Sequence, residues 1–111
     1  MPYDYEIGAF LSEPNPASVS RAAKWIKNLE LKFEQEKSDF KWMCNDKNPS
    51  TIIAALRHNG WSFQQRHDLH PQQDGLYLEF RKGNYYALFG YSFYNRKAYI
   101  TLSILIDKIK E

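Results

Sequence analysis

The chain has 111 residues, with 15 Lys plus Arg against 13 Asp plus Glu, 43% apolar residues and a single cysteine, Cys44. That length suits one domain over residues 1–111, the apolar share excludes a disordered chain, and one cysteine excludes an internal disulfide or a multi-cysteine zinc cluster. No run approaches the ~18 consecutive apolar residues of a membrane-spanning helix, and Met1-Pro2-Tyr3-Asp4-Tyr5-Glu6 lacks the basic and apolar regions of a secretory signal, so a cytoplasmic protein is expected.

Tyr3 to Leu11 alternates imperfectly between apolar and polar residues, which predicts a first strand with one face toward solvent. Glu13-Pro14-Asn15-Pro16 breaks it. Asn15 then suits a helix cap and Pro16 the first helical position, where a missing N–H costs nothing. Val19, Ala22, Ile26, Leu29 and Phe33 follow at spacings of three and four, so a helix is predicted over about Pro16 to Glu36, with Trp25 widening its apolar stripe. Phe40-Lys41-Trp42-Met43-Cys44 is read as one more helical turn or an isolated apolar patch. Asn48-Pro49 repeats the cap-and-proline start, and Gly60 stands where a left-handed terminator belongs. Between them, Ile52, Ile53, Ala55 and Leu56 predict a second helix.

From Trp61 the period changes to two. Trp61 to Arg66, Leu76 to Lys82, Asn84 to Tyr94 and Lys97 to Leu105 read as strands joined by polar or glycine-containing turns. The expected fold is α+β: an N-terminal strand, then two to three helices on one face of a C-terminal antiparallel meander of four to five strands. Leu76, Leu78, Phe80, Tyr85, Ala87, Phe89, Tyr91, Phe93, Ala98, Ile100, Leu102 and Ile104 are assigned to the helix-covered face. Tyr77, Arg81, Tyr86, Tyr94, Lys97 and Tyr99 fall on the open face, with Lys82 and Arg96 at the turns. A slip of one residue would exchange the two sets.

Phosphate-binding glycine loops, dinucleotide fingerprints and paired helical histidines are missing. His67-Asp68-Leu69-His70 with Asp74 has metal-ligating residue types but no metal-ligand spacing, so it is read as a solvated loop, and no metal or cofactor is expected. His58 suits a helix C-terminus, and Cys44 beside Trp42 and Met43 a small buried hydrophobe. Residues 56–111 hold eight basic and five acidic side chains, whereas residues 1–55 hold seven and eight. The C-terminal half is therefore the one expected to meet an anion. Its tyrosines could stack on unpaired bases while Arg and Lys hold phosphates, and a 2′-hydroxyl could then attack its own phosphate without a metal. Tyrosine is also simply a good strand residue, and exposed cations discourage edge pairing.

The strands Gly75-Leu76-Tyr77-Leu78-Glu79-Phe80-Arg81, Asn84-Tyr85-Tyr86-Ala87-Leu88-Phe89 and Ala98-Tyr99-Ile100-Thr101-Leu102 resemble the RelE/HigB-like toxins of bacterial and phage toxin–antitoxin modules. Glu79-Phe80-Arg81 looks like that family's Glu-apolar-Arg strand, and Leu105-Ile106-Asp107-Lys108 occupies the place of its final Phe-x-Lys-Lys. The resemblance covers about residues 50–110. It implies a metal-independent, ribosome-associated mRNA endonuclease covered by a cognate antitoxin, with Arg81 and Lys108 as the catalytic, phosphate-contacting residues. Tyr86 and Asp107 stand where the family has basic residues, and Ser103-Ile104 replaces its His-Gly.

Two expectations therefore stand together. One is an RNA-directed toxin, with RNA or the ribosome and an antitoxin as partners. The other is a non-catalytic interaction module, such as a phage- or plasmid-encoded inhibitor of a host or CRISPR-type defence complex, using Tyr77, Lys82, Tyr86, Tyr94, Arg96, Lys97 and Tyr99 as anchors. A homodimer through the tyrosine-rich face is a third reading. No membrane is expected to take part.

Overall fold

The computed structural model describes residues 3–36, 40–43, 48–68, 74–94 and 97–106, with side chains described for all of these except 40–43, 74, 91–94, 97–102 and 104–106. The elements run β1 (Tyr3–Asp4), β2 (Ala9–Phe10), α1 (Pro16–Glu36), β3 (Phe40–Met43), α2 (Pro49–His58), β4 (Ser62–Asp68), β5 (Asp74–Lys82), β6 (Tyr85–Tyr94) and β7 (Lys97–Ile106). The chain is α+β, with an antiparallel sheet ordered β3-β7-β6-β5-β4 and a separate β1-β2 pair. Among the described residues no helix is long and apolar enough to cross a membrane.

Both helices start by one device. The Asn15 side chain accepts from Ala17 N–H at 2.9 Å, and the Asn48 side chain from Ser50 N–H at 3.0 Å, each followed by proline in the first turn. The end of α2 is equally local. Gly60, at φ +87°, lets its own N–H reach Arg57 O at 3.1 Å and Trp61 N–H reach Leu56 O at 3.0 Å, the paired bonds of a Schellman motif. Leu56 and Trp61 are both buried in the core.

The core lies between the helices and one sheet face. From α1 come Ala23, Ile26, Leu29 and Phe33; from α2, Ile52, Ile53, Ala55 and Leu56; from the sheet, Leu78, Phe80, Ala87 and Phe89. In α1 the buried alanine is Ala23, while Ala22 packs at the margin. Leu78 pairs with Phe89 and Phe80 with Ala87 across β5 and β6, so alternate residues stand on the helix side, as a strand period of two requires. The side chains of Tyr91, Phe93, Ala98, Ile100, Leu102 and Ile104 lie outside the described residues.

Two sequence expectations are corrected. Tyr3 to Leu11 is not one strand, because Asp4 folds the chain back on itself. Its carboxylate accepts Ile7 N–H at 3.1 Å, its carbonyl accepts Gly8 N–H at 2.7 Å, and Gly8 sits at φ +76°. The result is a two-residue ladder, Tyr3 opposite Phe10 and Asp4 opposite Ala9, with Ile7 buried at the turn. Phe40 to Met43 is not an extra helical turn either. It is a strand pairing with β7, Phe40 opposite Ile104 and Trp42 opposite Leu102. Its aromatic residues suit a pleated surface, and a sheet edge was there to accept it.

Candidate functional site

Register puts three rows across the uncovered face of β4, β5 and β6. Ser62, Arg81 and Tyr86 align in one, Gln65, Glu79 and Leu88 in the next, and His67, Tyr77 and Gly90 in the third. A shift between Phe63 and Gln65 in β4 keeps the last two rows in phase with β5. Tyr77 is 43% exposed, whereas Leu78 and Phe80 beside it are 1% and 0% exposed. Tyr77 has glycine opposite it on β6, so no side chain there competes for its space.

Arg81 and Tyr86 interact directly on this face. The guanidinium carbon sits 4.1 Å from the centre of the Tyr86 ring, and the guanidinium also donates a short hydrogen bond to the Tyr86 hydroxyl. Stacking and hydrogen bonding together hold a charged plane on an aromatic one, and the arginine loses little further freedom on contact with a partner. The neighbouring row holds one carboxylate. Glu79 accepts from Gln65 Nε2 at 3.5 Å and faces His67 Nε2 at 3.5 Å. The face therefore carries both charge signs.

Lys82 does not join this face. Its ammonium bonds Glu30 of α1 at 2.9 Å, and nearby the Tyr85 hydroxyl donates to Glu34 at 3.4 Å. Burial first, and then the charge and hydrogen bond of Glu34 and the charge of Glu30, push the Tyr85 phenol above its ordinary pKa, so it stays a donor. With Lys27 and Leu31 these residues border an open groove of about 670 Å³ beside the Gly83-Asn84 turn. Lys108, Arg96 and Asp107 lie outside the described residues, as do Cys44 and His70. The backbones of Tyr94 and Lys97 pair with each other, and that of Tyr99 with Ser92, but their side chains also lie outside the described residues. Of the nine predicted contact residues, the structure places Tyr77, Arg81 and Tyr86 on one face, joins Arg81 to Tyr86 with Tyr77 two rows away, and directs Lys82 elsewhere.

The other described cations of this half are engaged as well. Arg66 bonds Asp68 at 2.7 Å and Gly8 O at 2.9 Å, clamping the Asp4–Gly8 turn to β4. Arg57 forks onto Asp4 at 2.7 Å and Glu6 at 3.1 Å. Burial raises the pKa of Asp4, but its bonds to Arg57 and Ile7 N–H and the Arg57 charge outweigh this and hold the carboxyl below its ordinary value. Among the described residues no group of three His, Cys, Asp or Glu is placed to hold a metal ion.

A second feature escaped sequence reading. Tyr3, Tyr5 and Phe10 form an exposed cluster on the N-terminal hairpin, Tyr3 meeting Tyr5 at 4.6 Å and Phe10 at 4.9 Å, both edge to face. Tyr5 is 87% and Phe10 70% exposed. The available signal was Asp4 followed by Gly8, a turn pair that breaks an alternating run. In comparisons with known proteins, no family model, no curated protein and no solved structure matches this chain.

Proposed function

We propose that the protein is a non-catalytic interaction module that docks a protein partner on the uncovered sheet face, with Tyr77, Arg81 and Tyr86 as anchors. The Arg81–Tyr86 stack carries this reading. Arginine and tyrosine dominate the energetic centres of protein interfaces, and a preassembled pair costs less ordering on binding. Charge supports it too. Glu79 lies between Tyr77 and Arg81 in β5, so a carboxylate stands among the anchors. A surface for phosphates would instead hold its cations toward solvent and keep carboxylates away. An inhibitor of a host or defence complex is the kind of small cytoplasmic protein this describes.

The RNA-directed toxin reading draws on the same Arg81 and Tyr86, since an aromatic ring and a guanidinium can also stack on an unpaired base. Affinity capture from a bacterial lysate, with and without nuclease, separates the two. The module reading expects a stoichiometric protein partner that survives nuclease and is lost with Tyr77→Ala plus Arg81→Ala. Capture that disappears with nuclease, or cleavage of RNA by the purified protein that Arg81→Ala abolishes, would replace it with the toxin reading.

A further inference from the structure

Helix α1 buries Ala23, Ile26, Leu29 and Phe33 against the covered side of the sheet, so its outer surface looks away from Tyr77 and Arg81. Arg21, Lys24 and Lys27 are exposed along that surface at steps of three residues. Side chains three apart are neighbours on a helix, so these like charges repel one another. Nothing local relieves the repulsion, because the stretch from Asn15 to Leu29 contains no Asp or Glu. Arg21 donates to the neutral Ser18 hydroxyl at 3.2 Å, and neither Lys24 nor Lys27 forms an ion pair among the described residues. The carboxylates further along the helix are engaged elsewhere, Glu30 by Lys82 at 2.9 Å and Glu34 by the Tyr85 hydroxyl at 3.4 Å.

Helix stability does not account for this order of charges. The macrodipole favours acids in the first turn and bases in the last, and α1 has neither, with Glu34 and Glu36 at its end instead. The row of cations adds nothing to the isolated helix, and a bound polyanion would remove its repulsion. The composition of the surface selects the polyanion. Protein interfaces are depleted in lysine and centred on aromatic residues, and a membrane surface would need apolar side chains beside the cations to enter the lipid. On α1 the single exposed large hydrophobic residue is Leu31. Spacing fits a nucleic acid: at ~1.5 Å per residue Arg21 to Lys27 spans about 9 Å, over which one strand presents about three phosphates at ~3.4 Å each. We propose that Arg21, Lys24 and Lys27 form a docking surface for the phosphodiester backbone of a nucleic acid, one phosphate to each cation and without reading of the bases. The surface is separate from the open sheet face and stands or falls independently of it.

The test follows amide chemical shifts of the full chain during titration with a dodecanucleotide of single-stranded RNA and with a DNA duplex of the same length, each in two unrelated base sequences. Saturable shifts are expected at Arg21, Lys24, Lys27 and Asn28, with Tyr77 and Arg81 unmoved and affinity indifferent to base sequence. The tighter of the two probes identifies the source of the backbone. Neutralising three phosphates predicts a loss of affinity of about twentyfold to fortyfold between about 50 and about 200 mM salt. Lys24→Gln with Lys27→Gln, both at exposed positions, should leave the unfolding midpoint unchanged and reduce that salt effect to about threefold. Tyr77→Ala with Arg81→Ala should keep full binding, which separates this surface from the sheet face. The proposal is overturned by no saturable shift on α1, by binding of dodecaglutamate or phosphatidylserine vesicles in preference to either nucleic acid, by an unchanged salt effect in the lysine variant, or by loss of binding in the Tyr77, Arg81 variant.

Discussion

The two faces of β5 and β6 are built from alternate residues of the same strands, yet they do different work. On one, Leu78, Phe80, Ala87 and Phe89 are at most 1% exposed beneath α1 and α2. On the other, Tyr77, Glu79, Arg81, Tyr86 and Leu88 stay partly or largely accessible. The covered face is held by packing, which tolerates little change in volume, whereas the open face carries a hydrogen-bonded carboxylate, Glu79, and a stacked cation, Arg81, which contribute little to stability. Substitutions on one face should therefore report on folding and those on the other on recognition.

The largest effect is expected in the core. Phe80→Ala or Phe89→Ala, each at a fully buried ring, should lower unfolding free energy by about 3–5 kcal/mol in denaturant titration. A loss under about 1 kcal/mol would mean that the helices do not cover this face. Next comes the cap of α2: Asn48→Ala removes the bond to Ser50 N–H and should cost about 1 kcal/mol.

Smaller again is the tie between the N-terminal hairpin and α2. Asp4 has a lowered folded-state pKa, so its contribution is complete above the ordinary aspartate range and fades as pH falls through the folded value. Asp4→Asn should cost about 1 kcal/mol or less at neutral pH, and the gap from the parent protein should close below about pH 4. A gap that widened on acidification would contradict the Arg57–Asp4 assignment. The smallest stability change belongs to the open face, where Tyr77→Ala with Arg81→Ala should stay within about 0.5–1 kcal/mol of the parent protein.

How much of this was readable in sequence follows from the range of each interaction. α1 was legible to its ends, because Asn15-Pro16 and a three-and-four spacing are local signals. So was the face assignment of β5, where alternation from Leu76 to Arg81 fixes which residues share a face without knowledge of neighbours. β3 was not, since four residues become a strand only when β7 offers an edge. The N-terminal turn was misread because its closing bonds run from Asp4 through Gly8 while the alternation ignores them. For the site, Tyr77, Arg81 and Tyr86 could be placed on one face by parity alone. That Tyr86 would bind Arg81, and that Lys82 would cross to Glu30, depends on side-chain geometry and on a helix 52 residues away in the chain.

The central claim is that the open sheet face recognises a protein, and calorimetric titration of the captured partner tests it most directly. Against the Tyr77→Ala, Arg81→Ala protein, affinity should fall by about a hundredfold or more while the unfolding midpoint stays near that of the parent. Unchanged affinity in the doubly substituted protein would contradict the account.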